Sequence, residues 1–163
     1  MKKNLESKIS ISKEKSKATK KLFEVLKRKK PNDLDGIVQE LHHQVFEEID
    51  CVTCANCCKT TSPIFRESDI ERLSNHLKMK VSNFISSYLQ KDEAGDYVLK
   101  TAPCTFLGDD NHCTVYNHRP AACRDYPHTD RKRFYQVLDL TARNATICPA
   151  VSDIIEKLKL HYA

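Results

Sequence analysis

Eight cysteines in 163 residues, four of them packed into CVTCANCC at positions 51 to 58, constrain this chain more than any other feature. Two C-x2-C steps are fused as Cys51, Cys54 and Cys57, and Cys58 follows directly. Such a step turns the backbone enough for two thiolates to converge on one ion, at about 2.3 Å for zinc. Cys104, Cys113, Cys123 and Cys148 lie in the second half, each beside a turn or a helix start. Eight thiols match the ligand count of two tetrahedral zinc sites, or of iron–sulfur clusters held by four cysteines each. Spacing does not reveal how they divide. Successive side chains point to opposite faces in extended backbone and about 100° apart in a helix. Cys57 and Cys58 are therefore expected to serve two neighbouring centres, or one centre and a supporting thiol.

The redox compartment decides what such thiols do. The opening MKKNLESKISISKEKSKATKK lacks the apolar run of a secretory signal, and no window approaches the roughly 18 apolar residues of a membrane span. The expectation is a cytoplasmic protein, where disulfides do not persist and clustered cysteines bind metal or react. In a secreted chain the same cysteines would instead allow about 105 disulfide pairings. A chain of this length buries a core without staples, so the thiols are not needed merely to hold it together. Soft thiolates suit zinc, copper(I) and iron–sulfur clusters and exclude calcium or magnesium. The run C-x2-C-x2-C with a remote Cys148-Pro149 is like the ferredoxin arrangement, except that Cys58 stands where that pattern has a spacer. The expected cofactor is zinc or iron, a 4Fe-4S cluster included.

Residues 1–30 carry twelve Lys and Arg against three Glu, which leaves the other 133 residues at a net charge of minus four. Phe23 is the one aromatic residue among them and no series of aromatics is interleaved to stack on bases, so this arm reads as a solvated helical face rather than a nucleic-acid surface. The organisation expected is a basic arm over 1–30 and a cysteine-cluster metal-binding domain over 31–163. The first dozen residues read as frayed. A helix from Lys13 ends at KRKKPND, and a second carries Leu34, Ile37, Val38, Leu41, Val45 and Ile49 on one face and runs into Cys51. Ser68 and Glu71 are expected to form a capping box, and Ser82 to cap a following helix that extends through Leu89. YVLKT, CTFL and HCTVY read as short strands, the last two forming a hairpin around GDDN. A short helix carries Cys123, another spans 131–143, and Cys148-Pro149 opens the last one. The fold class is mainly α with a small antiparallel β-hairpin, a single domain built around a cysteine-rich metal centre.

Other groups have functional and ordinary readings. His112 and His128 neighbour thiols or turns and are minor ligand candidates; His42 and His43 read as ordinary helix residues. Cys123 beside Arg124, and Cys148 at a helix N-terminus, occupy positions that favour the thiolate, as a metal ligand or a redox group needs. Arg119, Arg124 and Asp125 either offset a cluster's negative charge or cap a turn. Asp109 and Asp110 are turn residues. The chain has no phosphate-binding glycine loop, no H-E-x-x-H helix and no G-x-S-x-G elbow.

CVTCANCC resembles the signature of the YkgJ-like CxxCxxCC cysteine-cluster family of zinc- or iron-chelating domains. PCTFL, HCTVYNHRPAACRDYP and ICPAV continue the resemblance in order, over roughly residues 50 to 155, with all eight cysteines at matching places. Ala55 stands where many members have glycine. The resemblance implies metal or cluster binding through the cysteines. Flagellin lysine methylases carry a similar cysteine motif within much longer chains, which points towards cluster-assisted chemistry on lysine side chains. The leading expectation is a metal-binding protein whose partner is a metal ion held by the eight cysteines. A cluster-dependent redox or protein-modifying enzyme, and a zinc-stabilised interaction module using the basic arm, are the alternatives.

Overall fold

A computed structural model describes residues 2–163, with side chains from residue 6 onward. In chain order the helices are α1 (Lys2–Glu14), α2 (Ser16–Lys29), α3 (Leu34–Glu48), α4 (Cys51–Cys54), α5 (Asn56–Thr60), α6 (Glu67–His76) and α7 (Val81–Tyr88). The strands β1 (Leu89–Lys91) and β2 (Tyr97–Leu99) follow, then α8 (Ala121–Asp125), α9 (Leu138–Asn144) and α10 (Pro149–His161), with 3-10 turns at Tyr116–His118 and Phe134–Val137. The protein is thus mainly α with a two-stranded antiparallel sheet, as its sequence predicts. Among the described residues no helix is long and apolar enough to cross a membrane. The chain forms two compact units, one from Met1–Cys54 with Pro127–Ala163 and the other from Ala55–Tyr126.

The first unit is built on the face that helical spacing picks out in α3. Leu34, Val38 and Val45 are buried in one core with Val151, Ile154, Ile155 and Leu158 of α10. Each such side chain contributes about 1.5–3 kcal/mol on burial. Helix α2 adds Phe23 and Leu26 and ends where Lys30 turns left-handed at φ 45°, its N–H bonded to Leu26 O at 2.8 Å. Both oxygens of Asp35, in the first turn of α3, accept the N–H groups of Arg133 (2.6 Å) and Phe134 (2.8 Å), which fixes the entry to α9. Residues 2–14 correct the frayed reading of the N-terminus: they form α1. Lys8 pairs with Asp153 at 2.6 Å, and Ser152 Oγ donates to Lys8 O at 2.6 Å. These partners lie some 145 residues away, beyond the reach of local patterning. Lys15 and Lys27 likewise meet Glu156 and Asp139, so several of the arm's charges serve internal ion pairs, each contributing about 0–1 kcal/mol.

The second unit packs Phe65, Ile70, Leu73, Phe84, Leu89, Leu99, Phe106 and Val115 into its own core. Helix α6 starts earlier than expected, because Asp69 rather than Glu71 reaches back: its Oδ2 accepts the Arg66 N–H at 3.1 Å. Ser82 is not a cap; α7 already begins at Val81 and gives way to β1 at Leu89. YVLKT does supply a strand, but β2 pairs with β1 in the register Leu89↔Leu99 around a turn at Gly95, whose φ is 87°. The expected CTFL/HCTVY hairpin contracts to one bridge, Leu107↔Cys113, with Gly108 N–H to His112 O and Thr114 N–H to Phe106 O, both 2.8 Å. Its arms stop short for two reasons. The Cys104 N–H bonds to Cys58 O at 2.8 Å, and the Tyr116–His118 turn takes over just after Val115.

Candidate metal centre

The division between the two units falls inside CVTCANCC. Cys51 and Cys54, on α4, belong to the first unit, and Cys57 and Cys58, on α5, to the second. Between the two short helices Ala55 sits at φ 46° and ψ 19° and is buried. That left-handed conformation favours glycine.

The second unit carries five of the cysteines, Cys57, Cys58, Cys104, Cys113 and Cys123. Cys58 is tied through its carbonyl to the Cys104 N–H, and Cys104 O in turn accepts the Leu107 N–H at 3.0 Å. Leu107 is bridged to Cys113, so residues 58, 104 and 113 are linked by consecutive backbone bonds. Cys123 lies on α8, where its N–H bonds Pro120 O at 2.9 Å. Its thiol is pushed up to about 12, by burial first and then by Cys58, Cys104 and Cys113; the Arg119 cation pulls the other way. Burial also raises Cys104 and Cys113, with further upward pressure from Cys58 on both. Backbone N–H groups of Phe106 and Leu107 at Cys104, and of Val115 at Cys113, favour the thiolate in part. Cys58 is itself raised, above all by its hydrogen-bonding contact with Cys57, whose sulfur lies 4.0 Å away. Four sulfurs about 2.3 Å from one zinc would stand about 3.8 Å apart, so adjacency alone does not keep Cys57 and Cys58 from one ion.

The first unit holds the other set. Cys148 is the N-cap of α10 with Pro149 in the first turn, as its sequence predicts, and it packs against the core. Its thiol is nevertheless raised to about 11, because burial outweighs the N–H groups of Val151 and Ala150, and Cys51 and Cys54 add to the rise. The expectation that Cys123 and Cys148 are activated thiols is thereby corrected: desolvation of a negative sulfur exceeds the pull of helix amides and nearby cations.

The other candidates take ordinary places. His112 is exposed and lies 3.3 Å from an Asp110 carboxylate oxygen, while Asp110 accepts the His112 N–H at 3.0 Å, as a turn residue does. His128 adopts a left-handed backbone at φ 68° within the first unit. His42 meets buried Thr129 at 2.8 Å, and burial lowers its pKa. Arg124 and Asp125 are exposed. Arg119 stacks 3.8 Å over Tyr116 and favours the thiolates of Cys113 and Cys123.

One contributor has no signal in the sequence. Asp69, 1% exposed, binds Arg72 at 2.6 Å and accepts the Ala121 N–H at 3.1 Å, while Arg72 donates to His118 O and Arg119 O. This pair anchors the first turn of the helix bearing Cys123 to α6. An acid in a first turn reads as routine dipole compensation, and its partner 52 residues away is invisible locally.

Among the described residues no disulfide joins any of the eight cysteines, and no three His, Cys, Asp or Glu side chains already converge on a point where an ion could sit. The donor chemistry fits a soft metal all the same. Half-buried thiols in one neighbourhood raise one another's pKa, and a cation among them relieves that cost. The family model CxxCxxCC, described as "Putative zinc- or iron-chelating domain", matches residues 50–148. No curated protein and no solved structure matches the chain significantly.

Proposed function

Because the chain belongs to the CxxCxxCC family of zinc- or iron-chelating domains, we propose that it is a cytoplasmic metal-binding protein holding zinc or an iron–sulfur cluster through its cysteines. The ligands drawn on are Cys51, Cys54, Cys57, Cys58, Cys104, Cys113, Cys123 and Cys148. The observation that carries this reading is the family match over residues 50–148, supported by the backbone bonds that join Cys58, Cys104 and Cys113 within one compact unit that also contains Cys57 and Cys123. Zinc bound by four thiolates would supply a closed structural centre of net charge minus two, and a cluster would supply electron transfer. Arg119 offsets part of that negative charge, and the amides of Phe106, Leu107 and Val115 orient the sulfurs they approach.

Elemental analysis of anaerobically purified protein is expected to show near-stoichiometric zinc or iron. A broad visible charge-transfer absorption would assign iron, and its absence with bound zinc would assign zinc. Metal-free protein with an undiminished unfolding transition would end this reading. A cluster-dependent redox or modifying enzyme is favoured by one observation: Cys51 is exposed, so a group held by Cys51, Cys54 and Cys148 would reach solvent. A centre there saturated by four protein thiolates would remove it, since closed sites keep no open position.

A further inference from the structure

We infer that Asp69, Arg72 and His76, on one face of α6, are positioning residues for Cys123: they hold the segment from His118 to Ala121 so that this thiol keeps its place as a metal ligand. The inference rests on the metal-binding reading above and names residues, none of them a ligand, on which that site depends.

Helix α6 has two working faces. Ile70 and Leu73 are buried in the second unit's core, and Leu77 packs against it. Asp69, Arg72 and His76 follow one another at i, i+3 and i+7, so they share a neighbouring stripe. All three meet one short stretch of chain. The His76 ring stacks on His118, with centroids 3.8 Å apart and planes 15° from parallel. Arg72 donates through Nε to His118 O at 3.3 Å and through Nη2 to Arg119 O at 3.0 Å. Asp69 Oδ1, on a side chain 1% exposed, accepts both the Ala121 N–H at 3.1 Å and Arg72 Nη2 at 2.6 Å.

The gripped stretch links the Tyr116–His118 turn to α8. Arg119 and Pro120 are extended there, at ψ 151° and 152°, and Pro120 has no N–H to offer. His118 O, Arg119 O and Ala121 N–H are instead all taken by side chains of α6. Pro120 O accepts the Cys123 N–H at 2.9 Å and the Arg124 N–H at 3.1 Å, so Cys123 moves with this link. A thiolate must stand about 2.3 Å from zinc, so a loosened link costs the ion a ligand. Residues that orient ligands without touching the metal are worth about 10- to 100-fold in metal affinity.

The test uses the full chain purified anaerobically, counting zinc and iron atoms per chain and timing their removal by EDTA. Wild type is compared with Cys123→Ser, Asp69→Asn, His76→Ala and His76→Phe, which keeps a ring to stack. Leu89→Ala, at a buried core position of the same unit away from the link, serves as the control for lost stability alone. Asp69→Asn is expected to release metal about tenfold faster than wild type, as Cys123→Ser does. His76→Ala is expected to release it faster as well, His76→Phe to restore the wild-type rate, and Leu89→Ala to unfold more readily while releasing metal at the wild-type rate. Wild-type release from Asp69→Asn overturns the assignment, as does His76→Phe behaving like His76→Ala, or Leu89→Ala accelerating release as much as Asp69→Asn. If Asp69→Asn does not fold, the two His76 variants decide. Unchanged metal content and release in Cys123→Ser overturns the positioning role alone, whereas wild type that carries no metal overturns the metal-binding reading itself.

Discussion

Asp69 spends its charge on several partners at once, and that makes its replacement informative. Burial pushes its carboxyl up, but Arg72 and the N–H groups of Arg66 and Ala121 together overcome burial and hold it below the ordinary aspartate value. A depressed folded-state pKa stabilises the fold above the unfolded-state value of about 4 and loses that contribution as the pH falls through the folded value. Asp69→Asn keeps the shape but leaves the Arg72 cation facing a neutral amide. Expected is a loss of about 3 kcal/mol in denaturant unfolding near neutrality, the low end for a broken buried pair because Arg72 keeps some solvent. The acid limb of the stability profile should also flatten in the variant; an unchanged limb would mean that Asp69 is not a source of acid lability. Ala55 makes a second residue-scale case. Its left-handed backbone costs about 1–2 kcal/mol, yet glycine there forfeits about 0.8 kcal/mol of methyl burial and about 0.4–1 kcal/mol through a looser unfolded chain. Ala55→Gly should therefore lie within about 1 kcal/mol of wild type. Ala55→Val, β-branched, buried and at positive φ, should cost more than 2 kcal/mol by about the strain of a bulky residue there.

Helices whose partners are helices were the most legible elements, because period and burial coincide. The faces of α3 and α10 lie where the spacing of Leu34, Val38 and Val45, and of Val151, Ile154, Ile155 and Leu158, puts them. Within α10 this gives a sharp contrast: Ile154→Ala, at 0% exposure, should cost about 3 kcal/mol, while Leu160→Ala, at 80%, should stay within about 0.5 kcal/mol. Chemical denaturation of both variants checks it, and equal effects would mean that Leu160 is covered in solution. The elements that escaped sequence reading depend on remote partners. Helix α1 is held by Lys8 against Asp153, and the loop from Cys104 to Cys113 gives its first amide to Cys58 instead of to a ladder. The cysteines themselves were conspicuous in sequence. The bonds that position their segments, from Cys104 N–H to Cys58 O and from Ala121 N–H to Asp69, have no local signal.

At the scale of the whole molecule, the two units differ in what holds them without metal. The first has long helices with a continuous apolar core, whereas much of Pro103–Tyr126 in the second consists of turns, one bridge and the short helix α8. Regular backbone bonding resists opening in proportion to the apolar burial behind it, and turns over few core residues open readily. A metal that binds only the folded chain adds RT ln(1 + [L]/Kd), about 2.7 kcal/mol when free metal is a hundredfold above Kd, and the addition falls on the segments that carry its ligands. Stripping metal with a chelator should therefore accelerate amide hydrogen exchange most strongly around Cys104, Cys113 and Cys123. The buried turns of α3 and α10, whose order rests on Val38, Val45, Ile154 and Leu158, should change little. Hydrogen exchange read by mass spectrometry on loaded and stripped protein measures both regions in one experiment. Uniform acceleration along the chain would show that metal holds the molecule as a single cooperative unit, and no acceleration at the cysteine loops would remove the metal from the fold of this region. The localised outcome is the expected one, because apolar burial already accounts for the order of the first unit's core.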